Sequence, residues 1–324
     1  MIGTMTPFRV SFAGGGSDLS SFYRQSPGCV ISTTIDKHMY VFIHPSFDEK
    51  IQVKYSKTEL VEKIEEIEHP IIRETLRVFK LTGIDISSIA DIPSGTGLGS
   101  SSSFCVGLFH ALYGYTGQET SPEGLAVDAC RMEIDILKEP IGRQDQYAAS
   151  YGGLNLINFY EDDSVSVEPV KVSAKKLKEL DDNLIMFYSG GSRDARGILS
   201  DQATNLDRKK RENLVKMTDL ARELRDSLER GSIDDTGPIL DVGWQLKKSL
   251  SMKISPGRID KFYEIGMQNG ALGGKLLGAG SSGFLMFYCK KQEQDQLRSA
   301  LRELKETSFH LDENGSRIIL SDCV

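Results

Sequence analysis

PSGTGLGSSSS, residues 93–103, holds three glycines and five serines in eleven positions and then runs into apolar sequence, Phe104, Cys105, Val106, Leu108 and Phe109. Upstream, DISSIADI (85–92) alternates as a strand does, and residues 103–115 read as a helix. Glycine tolerates the positive φ angles that turn successive backbone N–H groups inward as an anion nest. A helix starting directly after the nest adds its positive end, and serine hydroxyls can bind phosphate oxygens or a magnesium ion. A flexible linker would not leave so little slack between strand and helix. The stretch is not a Walker A loop, because no lysine follows the glycines, and the H-R-D and D-F-G signatures of protein kinases are missing.

A second glycine loop, GAGSSG (278–283), formally matches G-x-G-x-x-G. A dinucleotide fold needs a strand before that motif and a helix after it. Here a helical-looking segment precedes it and the strand FLMFYC (284–289) follows, which disfavours that fold. A loop of this composition can still bring its backbone close to a ligand.

The remaining chain mixes strands and helices without a regular βαβ alternation. FRVSFA (8–13) reads as a strand, and CVISTTI (29–35) and MYVFIH (39–44) as two strands around a turn at Asp36-Lys37. Apolar spacing over 58–82 predicts helix broken at Pro70, and 122–138 a further helix. LIMFYS (184–189) and RIIL (317–320) read as strands, and 197–230, 236–252, 257–270 and 292–306 as helices. The pattern predicts an α+β fold. The charged run KVSAKKLKELDD (171–182) sets the expected domain boundary, with units at 1–175 and 176–324.

With 324 residues, 39% hydrophobic and 26% charged, the chain has room for two domains. The net charge of −7 argues against a nucleic-acid or membrane-surface partner. Five cysteines (29, 105, 130, 289, 323) are scattered without a C-x-x-C, which suits a reducing compartment. No charged-then-apolar signal pattern opens the sequence and no apolar run could span a bilayer, so a cytoplasmic protein is expected. The five histidines lack metal-ligand spacing.

Two acids stand out by position. Glu133 falls on the helix predicted over 122–138, and Asp145 follows in IGRQDQYAASYGG. Phosphoryl transfer needs a metal to neutralise phosphates and a group to orient or deprotonate the attacking hydroxyl. One carboxylate could serve each task, although an acid taken alone is more often a surface salt-bridge partner.

Three blocks in order, RVSFAGGGSD (9–18), PSGTGLGSSSS (93–103) and GGKLLGAGSSG (273–283), resemble the GHMP small-molecule kinases. The middle block is similar to that family's P-x-x-x-G-L-x-S-S loop at Pro93, Gly97, Leu98, Ser100 and Ser101. The first block, STTIDKHMYV (32–41) and GALGGKLLGAGSSGFL (270–285) look like the D-glycero-α-D-manno-heptose 7-phosphate kinase branch, and fucokinases share much of the pattern. Galactokinases carry an acid and a histidine where this chain has Gly15 and Gly16, which puts galactose in doubt. Many relatives carry glycines where this chain has Ser281 and Ser282; a positive φ at either serine would be strained.

The resemblance implies a ribosomal-protein-S5-domain-2-like first domain and a ferredoxin-like second one, with ATP and Mg2+ between them. It implies that Asp145 is the catalytic base and that Arg9 sits beside it and the moving phosphoryl group, where an arginine would stabilise developing charge. Ser101 and Glu133 match the magnesium ligands. The nucleotide phosphates fall to Pro93, Gly95, Gly97, Leu98, Gly99 and Ser100–Ser102, joined by Gly278 and Gly280. Asp18 matches an acid that holds sugar hydroxyls, within a substrate loop of Gly14, Gly15, Gly16 and Ser17. A phosphate on the substrate would need a cation: Arg193 is favoured for its small neighbours, with Arg196, Lys247, Lys248 and Lys275 also in reach. The implied reaction is phosphorylation of the anomeric hydroxyl of a heptose 7-phosphate by a monomer or homodimer. The alternatives are a kinase of a free sugar such as fucose and a non-catalytic sugar- or nucleotide-binding relative.

Overall fold

A computed structural model describes residues 1–191, 197, 206–251, 254–255 and 257–321 and shows an α+β fold built on two sheets. The first sheet takes β1 (Ile2–Ala13), β2 (Gly28–Pro45), β3 (Ile51–Lys54), β4 (Thr58–Val61), β5 (Ile84–Ala90), β6 (Asn155–Phe159) and β7 (Val165–Pro169). The second takes β8 (Leu184–Tyr188), β9 (Ala271–Leu276), β10 (Phe284–Cys289) and the short β11 (Lys305–Glu306). The chain then returns, as β12 (Leu311–Asp312) pairs with β2 and β13 (Arg317–Ser321) pairs with β1. A cut at residue 175 therefore separates the two sheets only as far as β11, because ladder hydrogen bonds carry the last two strands back to the first sheet. All pairings are antiparallel except β3 with β5.

Helices cover the sheets. The first unit carries α1 (Ser20–Tyr23), α2 (Pro70–Phe79), α3 (Ser100–Thr116), α4 (Pro122–Cys130) and α5 (Gln144–Tyr151). Beyond these come α6 (Ala174–Asp182), α7 (Arg208–Glu229), α8 (Thr236–Lys248), α9 (Gly257–Gln268) and α10 (Gln294–Ala300). Helix α3 is apolar around most of its surface because it is buried on nearly every side. Its Ser103 hydroxyl donates to Pro7 O at 2.8 Å, and Thr4 of β1 donates to Gly107 O at 3.0 Å. Period-two alternation in β8 and β10 divides their side chains. Met186, Met286 and Tyr288 join the core shared with the first sheet, while Ile185, Phe187, Leu285 and Phe287 fill the second core.

Several sequence expectations change in the structure. No turn interrupts 29–44: β2 runs straight through, and Asp36 and Lys37 are absorbed as a bulge between the pairs Phe8–Ile35 and Pro7–His38. The helix expected over 58–82 begins only at Pro70, which starts α2 instead of breaking it. Proline lacks the N–H that a first helical turn leaves unbonded anyway. Residues 58–61 form β4 against β3. The segment directly before GAGSSG is β9, so this loop closes a hairpin from β9 to β10, and no helix follows it. The helix expected over 122–138 turns from α to π geometry at Arg131–Ile136. Arg193 and Arg196 lie outside the described residues.

The two glycine loops meet backbone to backbone. A Cβ on Gly97 (φ +91°) would stand 2.4 Å from Leu277 O, and one on Gly278 (φ +76°) 2.4 Å from Gly97 Cα. Gly283 passes as closely to Thr96 O, at 2.3 Å. Gly117 provides a contrast, since its φ is also positive (+69°) but no atom lies within 4 Å of its added Cβ. Gly117→Ala should cost about 1 kcal/mol, the left-handed penalty alone. Gly97→Ala and Gly278→Ala add a main-chain clash and should each cost at least ~3 kcal/mol. Urea unfolding of the three variants checks this ordering.

Candidate active site

Arg9 lies in β1 with its side chain almost wholly buried. Its backbone N–H donates to Leu98 O at 3.1 Å, holding the first glycine loop against the strand. The guanidinium takes Asp145 in a two-pronged grip, Nε to Oδ1 and Nη2 to Oδ2, both at 2.8 Å. Nη1 donates to Gly97 O at 2.7 Å. Asp145 itself sits in the first turn of α5, where the helix dipole favours negative charge. Planar, bidentate pairing of this kind fixes the orientation of the carboxylate as well as its position.

Glu133 projects from the π turn after α4. Turns of this kind re-aim side chains and cluster at functional sites. Its carboxyl is 1% exposed and accepts from the hydroxyls of Ser101 (2.8 Å) and Ser102 (2.7 Å) and from Gln146 Nε2 (2.7 Å). Burial pushes its pKa up to about 7 against the pull of these three donors. Among the described residues no cation pairs with it. A buried carboxyl beside a serine hydroxyl, with no cation of its own, fits one edge of a magnesium site whose other ligands are phosphate oxygens and water.

Asp18 accepts from the Gly16 N–H (2.9 Å) and from Gln144 Nε2 (3.0 Å). Burial, and then the charge of Asp145, raise its pKa. Gly142 passes so close that a Cβ there would stand 1.9 Å from Asp18 Oδ2. Two lysines complete the ionisable set. Lys247 of α8 is buried and donates to Gly278 O, and burial followed by the Arg9 charge lowers its pKa to about 8. Lys275 of β9 donates to Ser11 O (2.7 Å) and Phe12 O (3.0 Å); burial, then Lys247, push its amine well down.

These groups line one cavity of about 920 Å³. Its floor is the first glycine loop, with Gly95 and Gly97 leading to Gly99, which caps α3 without any side-chain hydrogen bond. The amides at the α3 start, at Ser100, Ser101 and Ser102, are therefore open to an anion. Gly278 and Gly280 line the cavity beside Gly97, where the two loops touch, Gly15, Gly16 and Asp18 add a polar part, and Met39, Tyr55, His69 and Phe104 an apolar stretch.

Some expected residues lie elsewhere. Gly14 packs on Cys29 O and the Ser17 hydroxyl donates to the same oxygen at 3.1 Å, so both brace the substrate loop from behind. Leu98 is buried in the core, and Pro93 is exposed away from the cavity, its carbonyl taking the Thr96 hydroxyl. Lys248 pairs with Asp260 at 3.1 Å. Ser281 does carry positive φ (68°), held by its N–H to Ile254 O at 2.7 Å. Sequence reasoning missed Gln144, which bridges Asp18 to α5, and the apolar stretch, whose members come from separate elements without a shared motif. The four described cysteines, 29, 105, 130 and 289, are unpaired and buried. No helix among the described residues is long and apolar enough to cross a membrane.

Comparison with known proteins agrees with this geometry. Residues 58–153 match the profile of the GHMP kinases N terminal domain and 224–307 that of the GHMP kinases C terminal domain, together more than half of the chain. The chain is 28% identical over 318 residues to a D-glycero-alpha-D-manno-heptose 7-phosphate kinase of Campylobacter jejuni, covering 93% of each. It is 26% identical to the bifunctional fucokinase/GDP-fucose pyrophosphorylase of Arabidopsis thaliana, covering 93% of this chain and 31% of that one. The crystal structure of a D-glycero-D-manno-heptose 1-phosphate kinase from Bacteroides thetaiotaomicron superposes with a TM-score of 0.80 over 98% of both chains, a likeness of fold at 22% identity.

The raised pKa of Glu133 makes stability depend on pH. The folded state holds the proton more tightly than the unfolded chain, so stability should fall as pH rises from about 4.5 to about 7. The Glu133 share approaches ~3 kcal/mol. Glu133→Gln should remove this falling contribution, leaving Asp18, which acts in the same sense, and the lowered amine of Lys275, which acts in the opposite one. Urea unfolding of both proteins from pH 4.5 to 8, without metal or nucleotide, measures the difference.

Proposed function

The chain belongs to the GHMP kinases and is an ATP-dependent sugar kinase, and we propose that it transfers the γ-phosphoryl group of ATP to the anomeric hydroxyl of D-glycero-D-manno-heptose 7-phosphate, giving the 1,7-bisphosphate. The observation that carries the reading is the Arg9 grip on Asp145 at the edge of the Gly97 loop, facing the end of the cavity that holds Asp18.

In this reading the triphosphate lies on the amides of the first glycine loop and the start of α3, with Gly278 and Gly280 closing over it. The apolar stretch of Met39, Tyr55, His69 and Phe104 suits a planar base. Ser101 and Glu133 would hold Mg2+, which supplies charge neutralisation on the β- and γ-phosphates. Asp18, fixed by Gly16 and Gln144, accepts from sugar hydroxyls and sets the acceptor's position.

Arg9 occupies one lone pair on each oxygen of Asp145 and leaves the others free. Asp145 orients the acceptor hydroxyl and takes its proton. As the acceptor oxygen bonds to the γ-phosphorus, the bond from that phosphorus to the β–γ bridging oxygen breaks, and its electron pair leaves with ADP. One N–H on each terminal guanidinium nitrogen of Arg9 remains unused by the protein and serves the equatorial oxygens of the phosphoryl group as charge spreads over them.

ADP release should accompany incubation with ATP, Mg2+ and heptose 7-phosphate, and phosphorus NMR should place the new phosphate on the anomeric oxygen. Release with free fucose or another unphosphorylated sugar, and none with the heptose phosphate, would replace this acceptor. Asp145→Asn keeps the shape of the carboxylate and loses its basicity. It should lower kcat by about 10³-fold, within the range of positioned general bases, with a KM for ATP within about threefold of the parent.

A further inference from the structure

Lys247 has no acidic partner. It is buried, it donates one hydrogen bond, to Gly278 O, and among the described residues no carboxylate pairs with it, although Lys248 beside it pairs with Asp260. The charged groups around it are Arg9 of β1, Asp18 of the substrate loop, Asp145 of α5 and Lys275 of β9. Arg9 is already committed to Asp145, and Asp18 to Gly16 and Gln144. Lys275 therefore feels the charge of Lys247, and among the described residues no carboxylate pairs with either amine.

Contacts along the cavity wall place this pair at the acceptor end. Lys275 holds the carbonyl of Ser11. The Ser11 hydroxyl is buried without a partner, as is Gln144 Oε1. Both residues flank Gly15, since a Cβ added there would stand 3.9 Å from Ser11 Oγ and from Gln144 Nε2. The volume over Gly15 is thus open, and the buried hydroxyl and amide oxygen beside it have no partner among the described residues. The nucleotide phosphates have their own cradle in the first glycine loop, the α3 terminus, Ser101 with Glu133, and Arg9, bordered by Gly278, whose carbonyl Lys247 holds.

We propose that Lys247, backed by Lys275, binds a phosphate group already carried by the acceptor, so that the enzyme selects a sugar phosphate over the free sugar. The inference rests on the kinase reading above and adds to it the residue that reads the second phosphate. Two N–H groups of Lys247 and one of Lys275 remain free for the phosphate oxygens, and a dianion there supplies the counter-charge that the fold leaves out. The amine of Lys247, at about 8, is protonated below that pH, and the phosphate is a dianion above about pH 6. Binding is strongest between those limits and weakens as pH rises through 8.

The test compares heptose 7-phosphate with the same heptose lacking the phosphate, in the parent enzyme, Lys247→Met and Lys247→Arg. Methionine keeps the unbranched apolar stem and removes the charged amine. Lys247→Met should cut kcat/KM for the heptose phosphate about 30-fold more than for the free heptose, the range of a charge-assisted hydrogen bond, and arginine should recover part of the loss. Preference for the phosphorylated acceptor should fall above pH 8 in the parent and persist in Lys247→Arg. A rise in KM for ATP with unchanged discrimination between the two heptoses would assign Lys247 to the nucleotide and overturn the inference. Calorimetry of heptose 7-phosphate binding at pH 8.5, in two buffers of different ionisation enthalpy, reads the site without turnover. Proton uptake present in the parent and lost in Lys247→Met supports it, and equal uptake in both sinks it. Failure of the kinase reading looks different, as the parent would then release ADP with neither heptose.

Discussion

Two loops of main chain pass each other at van der Waals distance, and the site exists because neither carries a side chain where they touch. Gly97 meets Leu277 O and Gly278, and Gly283 meets the carbonyl of Thr96. A methyl group at these points would hold the sheets apart. At the distance that glycine permits, Gly97 O comes within reach of Arg9, and Gly278 O within reach of Lys247. The same contact that joins the units therefore anchors one cation from each. Ser281, in the same hairpin, takes a left-handed backbone that a side chain disfavours, and a 2.7 Å hydrogen bond to Ile254 O fixes it there. Close approach is favoured strongly enough here to hold a strained residue in place.

The charges left in the cavity are mismatched in an informative way. Arg9 and Asp145 satisfy each other. Among the described residues Glu133 and Asp18 are buried acids without a cation partner, and both pKa values are raised; Lys247 and Lys275 are buried bases without an acid partner, and both are lowered. Each group is pushed toward its neutral form because water is excluded and hydrogen bonds to neutral groups do not fully replace it. Ligands would supply what is missing: a divalent cation at Glu133, hydroxyl donors at Asp18, and a phosphate at the lysines. Binding then moves every one of these groups back toward its charged form. A site arranged in this way gains most of its electrostatic stabilisation only when all components are present, and that favours assembly of the full complex over partial occupancy.

What the sequence made legible was what is local in the chain. The first glycine loop, the strand before it and the helix after it follow one another within a few tens of residues, and each carries its own signal in composition or period. The shared GHMP pattern added Arg9, and it gave Glu133 and Asp145, already marked out by position, the roles expected of them. Long-range geometry was not legible. Asp36-Lys37 has the composition of a turn, and only pairing with β1 makes it a bulge. Residues 58–61 have apolar spacing that suits a helix, yet β3 offers an edge. Gly14 and Ser17 belong by position to the substrate loop, but their neighbours are Cys29 and β2. Gln144 looks like any surface glutamine until Asp18, 126 positions away, is placed beside it.

The division of labour within the cavity follows the two sheets. Arg9, Ser101, Glu133 and Asp145 all come from elements of the first unit, and they surround the point where a phosphoryl group would move. Lys247 and Lys275 come from α8 and β9 of the second unit; Lys275 holds Ser11 O and Lys247 holds Gly278 O. Transfer chemistry depends on sub-ångström positioning of a carboxylate and a metal edge, and a single rigid core with α3 at its centre supplies that. In the proposed reading the acceptor's phosphate is recognised from α8, a helix that supplies no residue of the proposed transfer machinery. Such an arrangement lets substrate choice change through α8 while the geometry around Asp145 stays as it is. The volume over Gly15 is bordered by the side chains of Ser11 and Gln144, both from elements of the first unit.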